Sequence, residues 1–458
     1  MTGESFDAVI VGGGITALAA AWRLNKEGKR PLLVCDSEST GGVIRSVREG
    51  GWLLEEGPNS YSSFGSEEEE FLADIGMAGR ALRKSIRKTD RYIWHSGRLH
   101  RVPTGLFPFL FSSILPFTAK LNIVSGLVGR YDPPEDEISI GRFFRNLFGD
   151  EVVETLLKPA LAGIYAADAD RISLDAVFPR LGEGIRKSRR LPGALKAMKR
   201  AAPETKKESG PKALTSFPEG LAELPRAVTE TLRNCGVPMV LGARGVSLTR
   251  NEAGAWRVAW EGGSAEAPAV LLSTPVEAAE NILMSTTPEA AGMIGKIEYA
   301  PLVVVHVGVR EEELKAGREG FGFLARRDEG VRMLGSIWSS SIFPGRAPEG
   351  HRLFTCFFGG DIDPETADWP EERLREQTAA DLRSVLDYRS KGPVLLNIQR
   401  WKRALPLFRP GHAKLIKDFN AALPEGVHVS TNWTGGVSIP DRIRGGWEKA
   451  ALIAGADS

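Results

Sequence analysis

Two hydrophobic rhythms alternate along the chain. Residues 6–11 are mostly apolar and β-branched and are ended by glycines, which predicts a short buried parallel strand. A helical rhythm follows from Ile15 to Lys26, with Ala17, Leu18, Ala21 and Leu24 on one face and Gly28 as its stop. Residues 32–35 form a second strand, and Asp36 stands at its end. Together these make a βαβ unit. Ser66 followed by Glu67, Glu68, Glu69 and Glu70 opens another helix, with the acids where the macrodipole favours them. Residues 186–212 carry many Lys and Arg among few large apolar groups and predict a mobile loop or linker. Strand patterns return at 237–241, 256–260, 270–273, 303–309 and 353–358. Residues 427–453 run strand, glycine-rich turn, helix, like the first unit, so a cofactor domain is expected to be assembled from distant pieces of chain. No internal repeat emerges.

Composition narrows this picture. The 458 residues suffice for two or three domains, and 42% hydrophobic with 26% charged is ordinary globular usage. A formal net charge of +1 gives no field for nucleic acid, and none is expected as a partner. The 51 Gly exceed average usage and cluster in pairs and triplets, as tight turns under a cofactor require. Cys35, Cys235 and Cys356 are too scattered for a disulfide framework or a zinc site, which fits a reducing, cytoplasmic compartment. No two of the six His are spaced as a ligand pair, so no metal is expected, and His95, His306 and His412 read as structural. The N-terminus carries no signal-peptide pattern, and no apolar run reaches about 18 residues. Residues 105–128 come nearest, with Leu106, Phe107, Phe109, Leu110, Phe111, Ile114, Leu115 and Phe117 interrupted by Pro108 and Pro116. That segment fits either a bilayer interface, with Arg98, Arg101 and Lys120 nearby, or a buried helical lobe.

The chemistry is densest at the start. Gly12, Gly13, Gly14, Ile15, Thr16 and Ala17 fit G-x-G-x-x-G/A between the first strand and the first helix. Gly12 permits the turn, Gly14 lets a pyrophosphate approach the backbone, and Ala17 lets the helix pack on the strand. The helix N-terminus offers free N–H groups to the anion, and Asp36 stands where an acid accepts from a ribose hydroxyl. Gly41 and Gly42 follow the acid, then Glu55, Glu56, Gly57, Pro58, Asn59 and Ser60. A nicotinamide enzyme has no need of these two elements, so they point to FAD, and with no Cys or His in a recognisable attachment motif the FAD is expected to be non-covalent.

These residues resemble the FAD-dependent, oxygen-using protoporphyrinogen oxidases, a group that includes coproporphyrinogen oxidases of the same fold. The resemblance runs almost end to end and rests on GGGITAL, GGVIRS, EEGPNS, DRYIWHSGRLHRVPTG, GIYAADADRIS, FPEGLAELP, YAPLVVVHVG, GFGFLA and GGVSIPDRI. The first and last are shared with amine oxidases and carotene desaturases; GIYAADADRIS and GFGFLA are narrower. The resemblance implies an α/β fold with three parts. A Rossmann-like, p-hydroxybenzoate-hydroxylase-like FAD domain would use 1–75, 214–298 and 415–458. An α+β substrate domain would use 76–100 and 299–414, and a helical membrane-associating lobe 101–213. It carries flavin contacts onto Gly12 to Ala17, Val43, Gly57, Pro58, Asn59, Ser60, Gly245, Asn432, Val437, Ser438 and Ile439. It places Arg91 on a substrate propionate, with Gly163, Phe321, Leu324 and Phe357 around the macrocycle and Asn59 near flavin or substrate. Peripheral contact with the cytoplasmic membrane, a homodimer and product hand-off to a ferrochelatase belong to the same expectation.

The implied reaction removes six electrons from a porphyrinogen in three two-electron flavin cycles, with oxygen as acceptor. The cofactor carries the hard step, so no catalytic triad is expected. Three departures stand out. Cys35 occupies the usual place of the ribose acid, Pro440-Asp441-Arg442 replaces Asn-Asp-Cys, and Leu405-Pro406-Leu407-Phe408 replaces Ile-Pro-Gln-Tyr. Bland readings stand beside the sharp ones: Arg91 as an ion-pair partner of Asp90, Asn59 as a turn residue, and Asp170 with Arg171 as a local salt bridge. Protoporphyrinogen and coproporphyrinogen both remain open as substrate. An amine oxidase or desaturase, with Trp401 and Trp433 as candidates for an aromatic sandwich, and a flavin-binding homologue without catalysis are the other readings.

Overall fold

Strand Ala8–Val11 is buried on both faces at the centre of a five-stranded parallel sheet. The order across the sheet is Met239–Val240, Pro31–Val34, Ala8–Val11, Ala269–Leu272, Val427–Val429. The computed structural model describes residues 5–103, 112–132, 137–200, 213–314, 319–386, 388 and 394–455. Helices Ile15–Lys26, Glu223–Asn234 and Ile439–Gly455 cover one face of this sheet. Helices Val276–Met284 and Pro288–Ile294, with an antiparallel meander of Ser247–Arg250, Trp256–Trp260 and Gly263–Ala267, cover the other. Continuous apolar strands are what burial on both faces demands. Gly446 lets the last helix press on the first, since a Cβ there would lie 2.4 Å from the Thr16 carbonyl oxygen.

A second sheet has seven strands, ordered Val394–Pro406, Tyr299–Arg310, His351–Gly359, Gly335–Ile337, Gly322–Ala325, Arg91–His95, Arg98–Arg101. All its pairings are antiparallel except Gly322–Ala325 on Arg91–His95. Helix Glu371–Leu386 seals one face through Leu374, Leu382 and Val385 against Val303, Val305, Phe354, Cys356 and Phe358. Fully burying a side chain such as Phe358 contributes roughly 2–3 kcal/mol. The sequence pattern shows the two strands richest in β-branched and aromatic residues. It misses Val394–Pro406, an edge strand whose residues are mostly half-buried and mixed in polarity.

Between these sheets in the chain lies a helical lobe: Phe117–Val128, Ile140–Phe148, Lys158–Tyr165, Pro179–Ser188 and Leu191–Arg200, with a π-helical turn at Val153–Leu157. Ile140, Phe143, Leu161, Ile172, Leu174, Ile185 and Ala194 form its core. Residues 186–188 and 191–200 are therefore helical, not a linker, with a two-residue break at Arg189 and Arg190. Arg186, Lys187, Arg189, Arg190 and Lys196 are exposed to solvent. Gly184 against Ala194, with Ile185 and Leu191, supplies enough contact to pair the two helices. Residues 201–212, the remainder of the expected linker, lie outside the described residues, as do Leu106, Phe107, Phe109, Leu110 and Phe111. Among the described residues no helix is long and apolar enough to cross a membrane.

Candidate functional site

The glycine-rich turn builds a cradle at the C-terminal end of strand Ala8–Val11. Gly12 has φ 130°, and a Cβ there would strike the Ser273 carbonyl oxygen at 2.2 Å. A Cβ on Gly13 would meet Cys35 Sγ at 2.4 Å. Gly14 differs, because nothing stands within 4 Å of its hypothetical Cβ. Gly14 also caps helix Ile15–Lys26 without any side-chain hydrogen bond, so that helix presents free N–H groups at an open edge. The Gly41 amide donates to the Gly13 carbonyl at 2.8 Å, and a Cβ on Gly57 would overlap the Val43 carbonyl oxygen. Thus three separate turns, at Gly13–Gly14, at 41–43 and at Gly57, stand side by side. Ile439 joins Ile15 and Ile44 in one apolar cluster. Ser438 Oγ donates to Asp441 Oδ2 at 2.6 Å and accepts from the Asp441 amide, a cap that opens helix Ile439–Gly455 beside the cradle. Asn432 Oδ1 accepts from the Tyr299 hydroxyl at 3.4 Å. Gly245 lies in the loop after strand Met239–Val240, where the Ala243 amide bonds the Cys35 carbonyl. An open anion edge, close-packed glycines and a capped second helix fit a dinucleotide.

The substrate candidates converge on one face of the seven-stranded sheet. Arg91 pairs with Gly322, Leu324 with Gly335, and Gly335 with Phe357. Register places Arg91, Leu324 and Phe357 on the same side. Gly163 of helix Lys158–Tyr165 rests on Leu324, and a Cβ there would come within 2.4 Å of Leu324 Cδ2. Gly335, which the sequence did not single out, leaves the gap that Leu324 enters. The Arg91 guanidinium lies 5.6 Å from the Phe321 ring centroid and makes no ion pair among the described residues. Asp90 bonds Arg101 instead, at 2.5 Å, which removes the Asp90–Arg91 pairing. Partial burial, which strips water from the charged form, pulls the Arg91 pKa below its usual value although the residue reaches solvent. Segment 55–59 arrives on this same face. His306 Nε2 bonds the Glu55 carbonyl at 3.0 Å, and Trp401 Nε1 donates to the Glu56 carbonyl at 2.8 Å. Asn59 touches the Gly57 carbonyl and accepts from Ser339 Oγ, which bonds Thr355 Oγ1 at 2.9 Å. The cradle and the candidate pocket therefore share a boundary at Gly57, Pro58 and Asn59. Ser339 and Thr355 were missed because isolated hydroxyls carry no sequence pattern.

A sequence profile described as flavin containing amine oxidoreductase matches residues 16–454. The chain belongs to the flavin-containing amine oxidoreductase family. This flavoenzyme is an FAD-dependent oxidoreductase. It is 32% identical over 475 residues to protoporphyrinogen oxidase 1, chloroplastic, of Spinacia oleracea, spanning 98% of this chain and 84% of that protein. It is 28% identical over 466 residues to coproporphyrinogen III oxidase of Bacillus subtilis, spanning 97% and 96%. A solved structure assigned provisionally to a protoporphyrinogen oxidase of Exiguobacterium sp. superposes with TM-score 0.79 at 24% identity, covering 99% of each chain. Cyclohexylamine oxidase from Brevibacterium oxydans shares the fold, with TM-score 0.70 at 17% identity and 99% of each chain.

The flavoenzyme's departures from the family pattern have local explanations. Cys35 is buried against Gly13, while Asp36 turns outward with Oδ1 near Ser37 Oγ and Cys35 Sγ. Arg442 donates from both terminal nitrogens to the Thr431 and Gly435 carbonyls and so braces the turn before helix Ile439–Gly455. Burial lowers its pKa to about 10. Leu407 is packed in the helical-lobe core, and Phe408 is buried with its ring edge-on to Tyr165 and His412. Asp170 bonds Arg145 and Lys158, whereas Arg171 bonds Asp361, so the expected Asp170–Arg171 pair is replaced by longer-range ones. Trp433 is fully buried against Phe419, with Nε1 donating to the Thr274 carbonyl, and offers no open ring face. The two therefore form no aromatic sandwich. His95 bonds Glu329, and its ring also meets His100 at 5.6 Å, a pairing created by the hairpin and invisible in the spacing. His412 bonds the Trp433 carbonyl. Among the described residues no group of three or more His, Cys, Asp or Glu is placed to hold a metal.

Proposed function

We propose that this flavoenzyme oxidises protoporphyrinogen IX to protoporphyrin IX in three two-electron steps, with oxygen as final acceptor, in porphyrin and haem biosynthesis. The observation that carries the reading is the shared sheet face. Arg91, a cation that makes no ion pair among the described residues, stands at the margin of an apolar wall of Leu324, Phe357 and Phe321, and the dinucleotide segment at Gly57 borders that wall. Such a face suits a flat, apolar macrocycle bearing carboxylates at one edge. FAD, when bound, supplies the two-electron chemistry and returns to its oxidised state through oxygen. The protein orients: Arg91 fixes a propionate by a bidentate, non-titrating contact, Leu324 and Phe357 exclude water, and Asn59 holds a polar point at the border. The cofactor would lie on Gly12 to Ala17, Val43, Gly57 to Ser60, Asn432 and Val437 to Ile439, with Asp36 and Gly245 at the adenosine end. Relatives named for both porphyrinogens keep coproporphyrinogen III as the second reading. That substrate presents four carboxylates. The higher identity to protoporphyrinogen oxidase, 32% against 28%, favours the two-carboxylate substrate.

The same reading takes the first sheet and its helices as a Rossmann-like, p-hydroxybenzoate-hydroxylase-like domain of 1–75, 214–298 and 415–458. Residues 76–100 with 299–414 bind substrate, and 101–213 form a lobe that rests on the cytoplasmic membrane surface. Support for the last point is the outer stripe of helix Phe117–Val128. Phe117 and Val128 are 73% and 71% exposed, with Leu121 and Val124 between them at helical spacing. A homodimer and hand-off to a ferrochelatase complete the reading. Aerobic turnover of each porphyrinogen, followed by porphyrin fluorescence, tests it: protoporphyrin should appear at the higher kcat/KM. Porphyrin formation from neither substrate would overturn it.

A further inference from the structure

We infer that Asp361 is a positioning residue that sets the spacing between the two walls of the macrocycle pocket, an inference that rests on the pocket reading above. Asp361 lies just beyond strand His351–Gly359, which carries Phe357. Its side chain is 5% exposed and is held from several directions. Arg409 donates to both oxygens at 2.8 Å in a fork, and Arg171 donates to Oδ1 at 2.7 Å. The Asp168 amide approaches Oδ2 at 3.4 Å. The Asp361 amide donates to the Ala166 carbonyl at 2.7 Å, and a Cβ on the preceding Gly360 would lie 2.7 Å from that same oxygen. Ala166 has φ 52°, a left-handed conformation costly for a residue with a Cβ. It ends helix Lys158–Tyr165, which carries Gly163. One carboxylate therefore ties the lobe loop 166–171 to the end of the Phe357 strand. Arg409 extends the tie to Glu298 at 2.7 Å, at the foot of strand Tyr299–Arg310.

The consequence is geometric. Gly163 and Phe357 lie on different elements, and nothing covalent fixes the distance between them. Gly163 is registered at one end by its contact with Leu324. At the other end the registration comes from the Ala166–Asp361 contact and the two guanidiniums. Although burial opposes its charge, Arg409 and Arg171 hold the Asp361 carboxyl below the ordinary range. A buried charge with forked partners has one good arrangement, unlike a greasy seam that can slide. A macrocycle that is oxidised three times must present its reacting carbon at a fixed angle each time, and orientation of that kind is what a loosened seam loses.

The test uses the FAD-loaded full chain as wild type, Asp361→Asn, Arg171→Gln and the double variant. KM and kcat per bound flavin are measured with both porphyrinogens, alongside the flavin absorbance spectrum. The expected result is a KM for protoporphyrinogen raised about tenfold in Asp361→Asn and a smaller rise in Arg171→Gln. The double variant should be no worse than Asp361→Asn, because the two residues share one interaction. The flavin spectrum should not change. A lower melting temperature with KM and kcat per flavin unchanged would make the cluster merely structural and overturn the inference. If Asp361→Asn does not fold, Arg171→Gln decides, because its side chain is half-exposed and its loss leaves the Arg409 fork intact. An inactive wild type would overturn the pocket reading and this inference together, whereas an active wild type with unchanged variants overturns this inference alone.

Discussion

Gly12, Gly13 and Gly14 are adjacent, yet the structure gives them separable roles. A side chain on Gly12 or Gly13 collides with protein, whereas one on Gly14 enters open space. Gly14→Val should therefore fold and lose FAD, while Gly12→Val should fail to fold. Circular dichroism and flavin content of the two purified variants check this, and stoichiometric FAD in folded Gly14→Val would contradict the cradle. Arg91 is the residue whose proposed contact with substrate is most open to kinetic test. Losing one charge-assisted pair costs about 2 kcal/mol, so Arg91→Ala should raise KM roughly thirtyfold with an unchanged flavin spectrum. Arg91→Lys should recover part of that, keeping charge without the planar fork. Equal KM in all three proteins would return Arg91 to the protein surface. Glu55 makes a different kind of prediction. Burial raises its pKa to about 7, against the opposing pull of Ser46, Arg346 and the Leu221 amide. The folded state thus holds a proton that the unfolded chain releases near 4.5. The stability this contributes is complete below about 4.5 and is lost as pH rises towards about 7. Urea midpoints of wild type and Glu55→Gln at several pH values should differ in slope across that window. Parallel curves would contradict the assignment.

Among the elements, helix Phe117–Val128 carries the clearest unexplained surface. Its Phe117, Leu121, Val124 and Val128 face solvent in one stripe, while Ala119 and Gly126 are buried. Replacing Phe117 and Val128 together by Ser should cost roughly 2–4 kcal/mol of interfacial insertion. Vesicles containing anionic lipid should then sediment much less of the variant, with its FAD retained. A wild type that never sediments with such vesicles would contradict membrane contact through this face. Elements with a single strong rhythm were legible in the sequence. Helix Ile15–Lys26 and strand Ala269–Leu272 follow from their apolar periodicity alone. Helices Pro179–Ser188 and Leu191–Arg200 did not, because their contact is made by Gly184 and Ala194, residues too small to register as a hydrophobic face. Strand Arg91–His95 was hidden for another reason: it is short, and its parallel partner lies more than two hundred residues away.

At the scale of the whole molecule, the proposed function depends on the cofactor cradle and the seven-stranded sheet meeting. The dinucleotide cradle was readable because its glycines, helix and acid lie within one stretch of chain. The candidate pocket was not readable from residues alone, since Arg91, Gly163, Leu324 and Phe357 come from four elements that only sheet register and helix packing unite. Their naming came from resemblance, and Gly335, Ser339 and Thr355 escaped it. What binds the account together is that segment 55–59 leaves the separate two-stranded hairpin of Ser46–Glu49 and Trp52–Glu55 and ends on the face of the seven-stranded sheet, anchored by His306 and Trp401. A macrocycle on that face would meet the cofactor across Gly57. The most direct measurement is anaerobic mixing of the FAD-loaded protein with protoporphyrinogen in a stopped-flow spectrophotometer. The account predicts rapid bleaching of the oxidised-flavin band, recovery on admitting oxygen, and slower bleaching with coproporphyrinogen. A flavin band that stays unchanged with both porphyrinogens would contradict it.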